Sequence, residues 1–83
     1  MKLEIVNVDS LWMELREFDK NSVWNDDEVW ESVGLDEFVD DVNEMYKKKE
    51  GWYFLGNWKE SNYVSEKDDG FGNECLEREI DDE

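Results

Sequence analysis

The chain contains no histidine and no proline, a single cysteine, and no lysine or arginine between Asn21 and Tyr46. Each absence excludes something. Without histidine there is no imidazole general base, no Ser-His or Cys-His nucleophile and no usual zinc chemistry. A lone cysteine, Cys75, has no intrachain partner, so a disulfide framework is excluded and a reducing compartment, the cytoplasm, is expected. Cys75 also lies among Glu74, Glu77 and Glu79, which disfavour a reactive thiolate and leave packing as its expected role. No apolar run approaches the ~20 residues of a membrane span. Residues 1–10 lack the continuous apolar stretch of a signal peptide. The one G-x-G, Gly70-Phe71-Gly72, lacks the third glycine and the strand–helix context of a phosphate cradle.

Calcium is the remaining metal to weigh, because acids are plentiful. Placing Gly70 at the turn position of an EF-hand loop puts Lys67 and Leu76 where oxygen ligands are required, so the loop fails. A looser site built on Asp68, Asp69 and Glu74 is the alternative, but solvated loop carboxylates are the better account of these residues. No metal and no cofactor is expected. Paired carboxylates can run acid–base chemistry alone, but a chain of 83 residues rarely supplies the deep cleft that such chemistry needs. The expectation is a protein that is not an enzyme.

What is present in abundance is negative charge: 25 acidic against 9 basic side chains, a formal net charge of −16. Such a charge invites disorder. Against it stand Leu, Ile, Val and Phe at roughly a quarter of the residues, and five Trp, three Tyr and four Phe. A folded domain under self-repulsion is expected. The charge sits in two blocks. One runs from Asn21 to Tyr46 and holds Asp26, Asp27, Glu28, Glu31, Asp36, Glu37, Asp40, Asp41 and Glu44 without a basic residue; the other is the last segment, ending Asp81-Asp82-Glu83.

Alternation around Leu3 and Ile5 predicts an initial strand with those two side chains inward. Ser10 is placed to cap a helix to about Asp19, with Leu11, Leu15 and Phe18 on one face and Trp12 alongside. Asn21-Ser22 breaks it. A second short helix begins at Asn25 or Asp26, with Val29, Trp30 and Val33 as its apolar side, and Gly34 stops it. Asp36 is placed to cap the clearest helix, 37–50. Its stripe is Phe38, Val39, Val42, Met45 and Tyr46, its last turn is Lys47-Lys48-Lys49, and Gly51 is its stop. Gly56-Asn57 between aromatic runs 52–55 and 58–64 predicts a two-residue hairpin. Asn73 is placed to cap a last short helix in which Leu76 and Ile80 pair. The sum is β-α-α-α-β-β-α: an α+β single domain, three or four short helices on a small antiparallel sheet. Residues 1–72 form its compact part, and 73–83 form an acidic C-terminal segment of the same domain.

Trp12, Trp30, Phe38, Tyr46, Trp52 and Phe54 are expected in the core. Trp24, beside acids in a loop, and Trp58, at the hairpin turn, are the aromatics expected at an interface. The candidate partner-binding residues are the nine acids of the middle block, with Trp24, Trp58, Asp81, Asp82 and Glu83 as a second group. An acidic helix face ordinarily serves solubility. Ordinary faces mix both signs, however, and like charges at i, i+4 (Glu37 with Asp41, Asp36 with Asp40) each cost a few tenths of a kcal/mol. Accepting that cost over several turns points to use of the field.

Carboxylates at i, i+3, i+4 and i+7 stand ~5–6 Å apart on a helix, near the spacing of phosphates on a nucleic-acid backbone. The expected function is that of an acidic, non-catalytic inhibitor occupying the basic groove of a nucleic-acid-handling protein as a DNA or RNA mimic. In charge and size the chain is similar to phage-encoded antagonists of host defence, the anti-CRISPR and anti-restriction proteins; this similarity implies a phage or mobile-element source. The alternatives are an immunity protein or antitoxin masking a basic nuclease toxin, and an acidic adaptor or chaperone for a basic protein. In each case the partner is a basic protein. Nucleic acid and anionic membrane would both repel the chain.

Overall fold

The chain begins as a strand and passes directly into a helix. The computed structural model describes residues 2–64 and 74–80, with Trp30 and Glu31 as backbone only. In it, β1 (Lys2–Asn7) abuts α1 (Val8–Phe18). Asn7 makes the switch: its backbone is extended and its side chain accepts the Ser10 N–H at 2.9 Å, the N-cap arrangement. The cap is thus Asn7 and not Ser10. Val8 thereby enters the first turn and is buried with Leu11 and Leu15, whereas Phe18, the last helical residue, is exposed.

After a turn in which the Ser22 N–H donates to the Asp19 carbonyl at 3.0 Å, the Ser22 side chain caps one 3-10 turn, Val23–Asn25. That turn swings Trp24 inward until it is 1% exposed, edge-on to Phe38 with ring centroids 5.1 Å apart. The Trp12 indole N–H donates to the Trp24 carbonyl at 3.0 Å and ties the turn to α1. The expectation of an exposed Trp24 is therefore corrected. Its polar neighbours Asn25 and Asp26 do face solvent, but a 3-10 turn points successive side chains in different directions.

Helix α2 (Asp27–Ser32) is capped by Asp26, whose carboxylate accepts the Glu28 N–H at 3.0 Å. Val29 and Val33 rest against the core. Helix α3 (Leu35–Glu50) starts two residues earlier than expected. Gly34 is its N-cap without a side-chain bond, and Asp36 lies in its first turn. Phe38, Val42, Met45 and Tyr46 are buried and Val39 partly so, as the spacing predicts. Gly51 ends the helix at φ 65°, the left-handed region that favours glycine.

The predicted hairpin at Gly56-Asn57 does not form. Gly51–Tyr53 make a 3-10 turn, and residues 54–58 are irregular. The Glu50 carboxylate accepts the Leu55 N–H at 3.2 Å. Gly56 then runs so close to β3 (Glu74–Ile80) that a Cβ would stand 2.8 Å from the Glu79 carbonyl oxygen. Held at both points, this segment lies beside β3 and does not fold back on 58–64. The Asn43 side chain clamps its end, accepting the Trp58 N–H at 2.6 Å and donating to the Trp58 carbonyl at 3.1 Å. Trp58 is 2% exposed and edge-on to Tyr46, so it too is core and not interface. Trp52, expected in the core, is 94% exposed.

Strand β2 (Lys59–Val64) pairs antiparallel with β3 (Glu74–Ile80), and β3 with β1, in the order β1-β3-β2. The helix expected after Asn73 is thus a strand, and the central one. Leu76 and Ile80 at i, i+4 share a face in a strand as well as in a helix. Here the face also carries Arg78, and Leu76 and Arg78 are buried. Register explains a second correction. Glu4 lies opposite Arg78 and Val6 opposite Leu76 on the inner face, so Leu3 and Ile5 point outward and are 51% and 41% exposed. An inward carboxylate on β1 is tolerated because its cross-strand neighbour is a cation. The α+β class holds, with three α-helices and a three-stranded antiparallel sheet in the order β-α-α-α-β-β among the described residues. No described helix is long and apolar enough to cross a membrane.

Candidate partner-binding face

The buried stripe of α3 fixes the direction of everything else on that helix. With Phe38, Val42, Met45 and Tyr46 in the core, Asp36, Glu37, Asp40, Asp41 and Glu44 all reach solvent. Glu37, Asp40, Asp41 and Glu44 follow one another at i, i+3, i+4 and i+7. Asp26, Asp27 and Glu28 are exposed at the start of α2, next to the turn that carries Trp24. The positive ends of the helix dipoles favour the acids in both first turns, which offsets part of their mutual repulsion. The side chain of Glu31, and Asp81, Asp82 and Glu83 with Asp68 and Asp69, lie outside the described residues. Among the described residues no group of three acids or thiols converges to hold a metal ion.

Within this row the acids are not equivalent. Asp41 accepts a hydrogen bond from the buried Trp24 indole N–H through Oδ2. It is therefore committed to the fold as well as facing water. Glu44 approaches Lys47 at 3.9 Å, with both side chains well exposed, a geometry worth no more than ~1 kcal/mol. For Glu37 and Asp40 the structure shows exposure alone. The row as a whole rests on a helix that is pinned at several points: Trp24 to Asp41, Asn43 to Trp58, Tyr46 and Lys49 to Glu14 of α1, and Glu50 to Arg78 of β3.

Arg78 is the buried charge that ties β3 to β1 and to the end of α3. Its guanidinium is 5% exposed as a residue and lies over the rings of Tyr46 and Trp58, 4.8 and 4.7 Å from their centroids. Its Nε donates to Glu4 at 2.8 Å, and Nη1 and Nη2 fork onto the two oxygens of Glu50 at 3.2 Å. Burial pulls its pKa down, but the hydrogen bonds to Glu4 and Glu50 outweigh that and leave it raised, so the group stays charged. The Tyr46 hydroxyl donates to Glu14 at 2.8 Å, and Lys49 bonds the other oxygen of the same carboxylate. Burial, followed by the Glu14 bond and charge, pushes the Tyr46 phenol well above its ordinary value. The available signal for Arg78 is the alternation of Glu77 and Glu79 around it, which marks a strand with a basic residue on the inner face.

A separate surface gathers on the turn after α3. Trp52 and Tyr53 are exposed and edge-on to each other, with centroids 5.2 Å apart, and Leu55 is exposed nearby in sequence. Four consecutive apolar residues, 52–55, cannot all turn inward from an irregular segment, and here Phe54 alone rests against the core. No family model, no curated protein and no solved structure matches this chain.

Proposed function

We propose that this chain is an acidic, non-catalytic inhibitor that binds the basic groove of a nucleic-acid-handling protein in the cytoplasm as a mimic of DNA or RNA, encoded by a phage or mobile element as counter-defence. One observation carries the reading. Glu37, Asp40, Asp41 and Glu44 stand exposed in succession on a helix anchored to its neighbours along its length, with no basic residue from Asn21 to Tyr46 to neutralise them. A rigid row of like charges presents a fixed pattern to a cationic groove, whereas a loose acidic tail attracts such a groove without setting register. Binding of this kind is electrostatically steered. The test is capture of partners from host lysate on the immobilised chain, followed by competition. A captured basic protein released by duplex DNA or by RNA supports mimicry. A partner that stays bound under saturating nucleic acid removes it.

The exposed Trp52 favours a second reading. A nearly naked indole next to Tyr53 and Leu55 is the type of anchor found at binding hot spots, and it suits an immunity protein that masks one toxin through an aromatic centre. Trp52→Ala separates the two: loss of binding with the acidic row intact favours the immunity reading, and unchanged binding favours mimicry.

A further inference from the structure

A groove of about 330 Å³ lies where the end of α1, the turn after it and the side of α3 meet. Its apolar lining is Leu15, Phe18, Val23 and Met45, and its carboxylates are Asp19, Asp41 and Glu44. Phe18 and Val23 are exposed at its rim, although the rest of the apolar stripe of each helix is covered. The volume is at the low end of the ~300–1,000 Å³ of ligand sites, suited to one long side chain. Resting on the proposed binding of a basic protein, we propose that this groove is the socket for an arginine side chain of that partner.

The occupant follows from complementarity. An arginine has an aliphatic stem to lay along Met45, Leu15 and Val23, a flat guanidinium to stack on the exposed Phe18 ring, and a fork of donors for two carboxylates. Of those carboxylates, Asp41 Oδ2 already accepts the Trp24 N–H, and an Asp19 oxygen accepts the Asn21 N–H at 3.0 Å. Both are thus oriented by the fold before any ligand arrives, which lowers the ordering cost of binding. Glu44 is the less committed of the three, since its recorded ion pair with Lys47 is at 3.9 Å and exposed. Lys48 also lines the groove, and it makes no ion pair within 4.0 Å among the described residues. It opposes an incoming cation, so the socket is tuned by one unfavourable charge that can be removed.

The probe is an acetylated hexa-arginine amide, with hexa-lysine as comparison, titrated into the whole chain while the methyl resonances of Leu15, Val23 and Met45 are followed by NMR. The expected result is saturable movement of these methyls with hexa-arginine and several-fold weaker binding of hexa-lysine. Glu44→Gln should weaken the arginine peptide about two- to fivefold and Lys48→Gln should strengthen it by a similar factor, the size of one exposed charge contact. Lys59→Gln, on β2, changes net charge equally and should move affinity less than Lys48→Gln does. Val23→Trp fills the groove mouth and should abolish the methyl shifts in a chain whose circular dichroism is unchanged. Equal effects of Lys48→Gln and Lys59→Gln, or peptide binding that leaves the three methyls unmoved, would overturn the socket and leave mimicry standing. If neither peptide binds at low salt, the proposed basic partner fails along with the socket.

Discussion

The indole N–H of buried Trp24 donates to the carboxylate of exposed Asp41, so one residue of the acidic row also holds the core. Removing it has opposing effects. Asp41→Ala relieves repulsion with Glu37 at i−4, worth a few tenths of a kcal/mol. It also strands a buried donor, which costs ~1–3 kcal/mol. The second effect is larger, so Asp41→Ala should destabilise the domain in urea denaturation, while Asp40→Ala should leave stability equal or raised. Asp41→Asn keeps an acceptor and should fall between them. Equal stability of the Asp40 and Asp41 variants would show that the Trp24 bond contributes nothing.

Arg78 yields the largest stability effect expected here. It satisfies Glu4 and Glu50 together, from the middle of the sheet, with both carboxylates drawn toward a buried site. Breaking a buried pair from one side costs ~3–5 kcal/mol because the other charges stay behind. Arg78→Ala should remove a large part of the modest stability reserve of a domain this short and lower its denaturation midpoint, Glu50 being left the less hydrated of the two carboxylates. Arg78→Lys should rescue little, because an ammonium cannot fork onto both oxygens of Glu50 while bonding Glu4. The measurement is the folded fraction by circular dichroism. A Lys variant as stable as the parent would mean that charge alone, without the fork, is sufficient.

These two residues also show what was legible in the sequence. Helix α3 is readable because its five apolar positions from Phe38 to Tyr46 follow one helical period, and both its basic last turn and Gly51 agree with it. Strand β3 is not, because Leu76 and Ile80 satisfy helix and strand alike, and the deciding residue, Arg78, is a cation in an inward position that acquires meaning only once Glu4 and Glu50 are beside it. The same long-range pairing inverted β1. Alternation in 2–7 is visible in the sequence, but its inner face is the one with Glu4. The positions of Trp24 and Trp58 are hidden for a related reason. Acidic neighbours mark Trp24 as surface, and the Gly56-Asn57 turn signal does the same for Trp58, while a serine-capped turn and the Asn43 clamp carry them inside. The acidic row of α3 was legible in direction, and Asp41's second role was not.

Tyr46 gives the domain an alkaline limit. Its phenol is raised above the ordinary value of about 10 by burial first and by Glu14 second. A raised folded-state pKa means that the contribution is complete below the unfolded value and is lost as pH rises toward the folded one. Stability should therefore begin to fall above about pH 10, by up to ~1.4 kcal/mol per pH unit while only the unfolded chain ionises. Tyr46→Phe should be less stable at neutral pH, having lost the bond to Glu14, yet should lack this part of the alkaline decline. The check is urea denaturation of both chains across the alkaline range. Parallel declines would place the alkaline limit elsewhere.

Added salt should stabilise the free domain. With a net charge of −16 and a block of nine acids without a basic residue, repulsion is intramolecular, and screening relieves it. The melting temperature should rise between about 20 and about 300 mM NaCl, as the Debye length shortens to below ~8 Å. The ion pairs of Arg78 are buried and lose little over the same range. A flat or falling melting temperature would mean that surface pairing such as Glu44–Lys47 outweighs repulsion.

The acidic row can be tested without disturbing the core, provided Asp41 is spared. Glu37, Asp40 and Glu44 face solvent, and the one recorded contact among them is the long, exposed pair from Glu44 to Lys47. Replacing all three with Lys removes repulsion along α3 and adds attraction to Asp36 and Asp41; it also loses Glu37 from the first turn and sets a cation at 44 beside Lys47 and Lys48. These are opposing effects of a few tenths of a kcal/mol each, so the chain should remain folded with stability little changed. Binding to a basic partner should fall by well over tenfold, a change larger than ~1.4 kcal/mol, and most of the loss should be in association rate, since steering is what the row supplies. The same substitutions with Asp41 included would confuse the result, because the Trp24 N–H loses its acceptor and α3 loses one of its anchors. A chain ending at Gly72 cannot test the C-terminal acids, because it lacks β3, the central strand, and its loss of binding would reflect unfolding. The cleaner control keeps β3 and converts Asp81, Asp82 and Glu83 to Asn and Gln. Loss of binding there, with α3 neutralised to no effect, would place the mimic beyond β3.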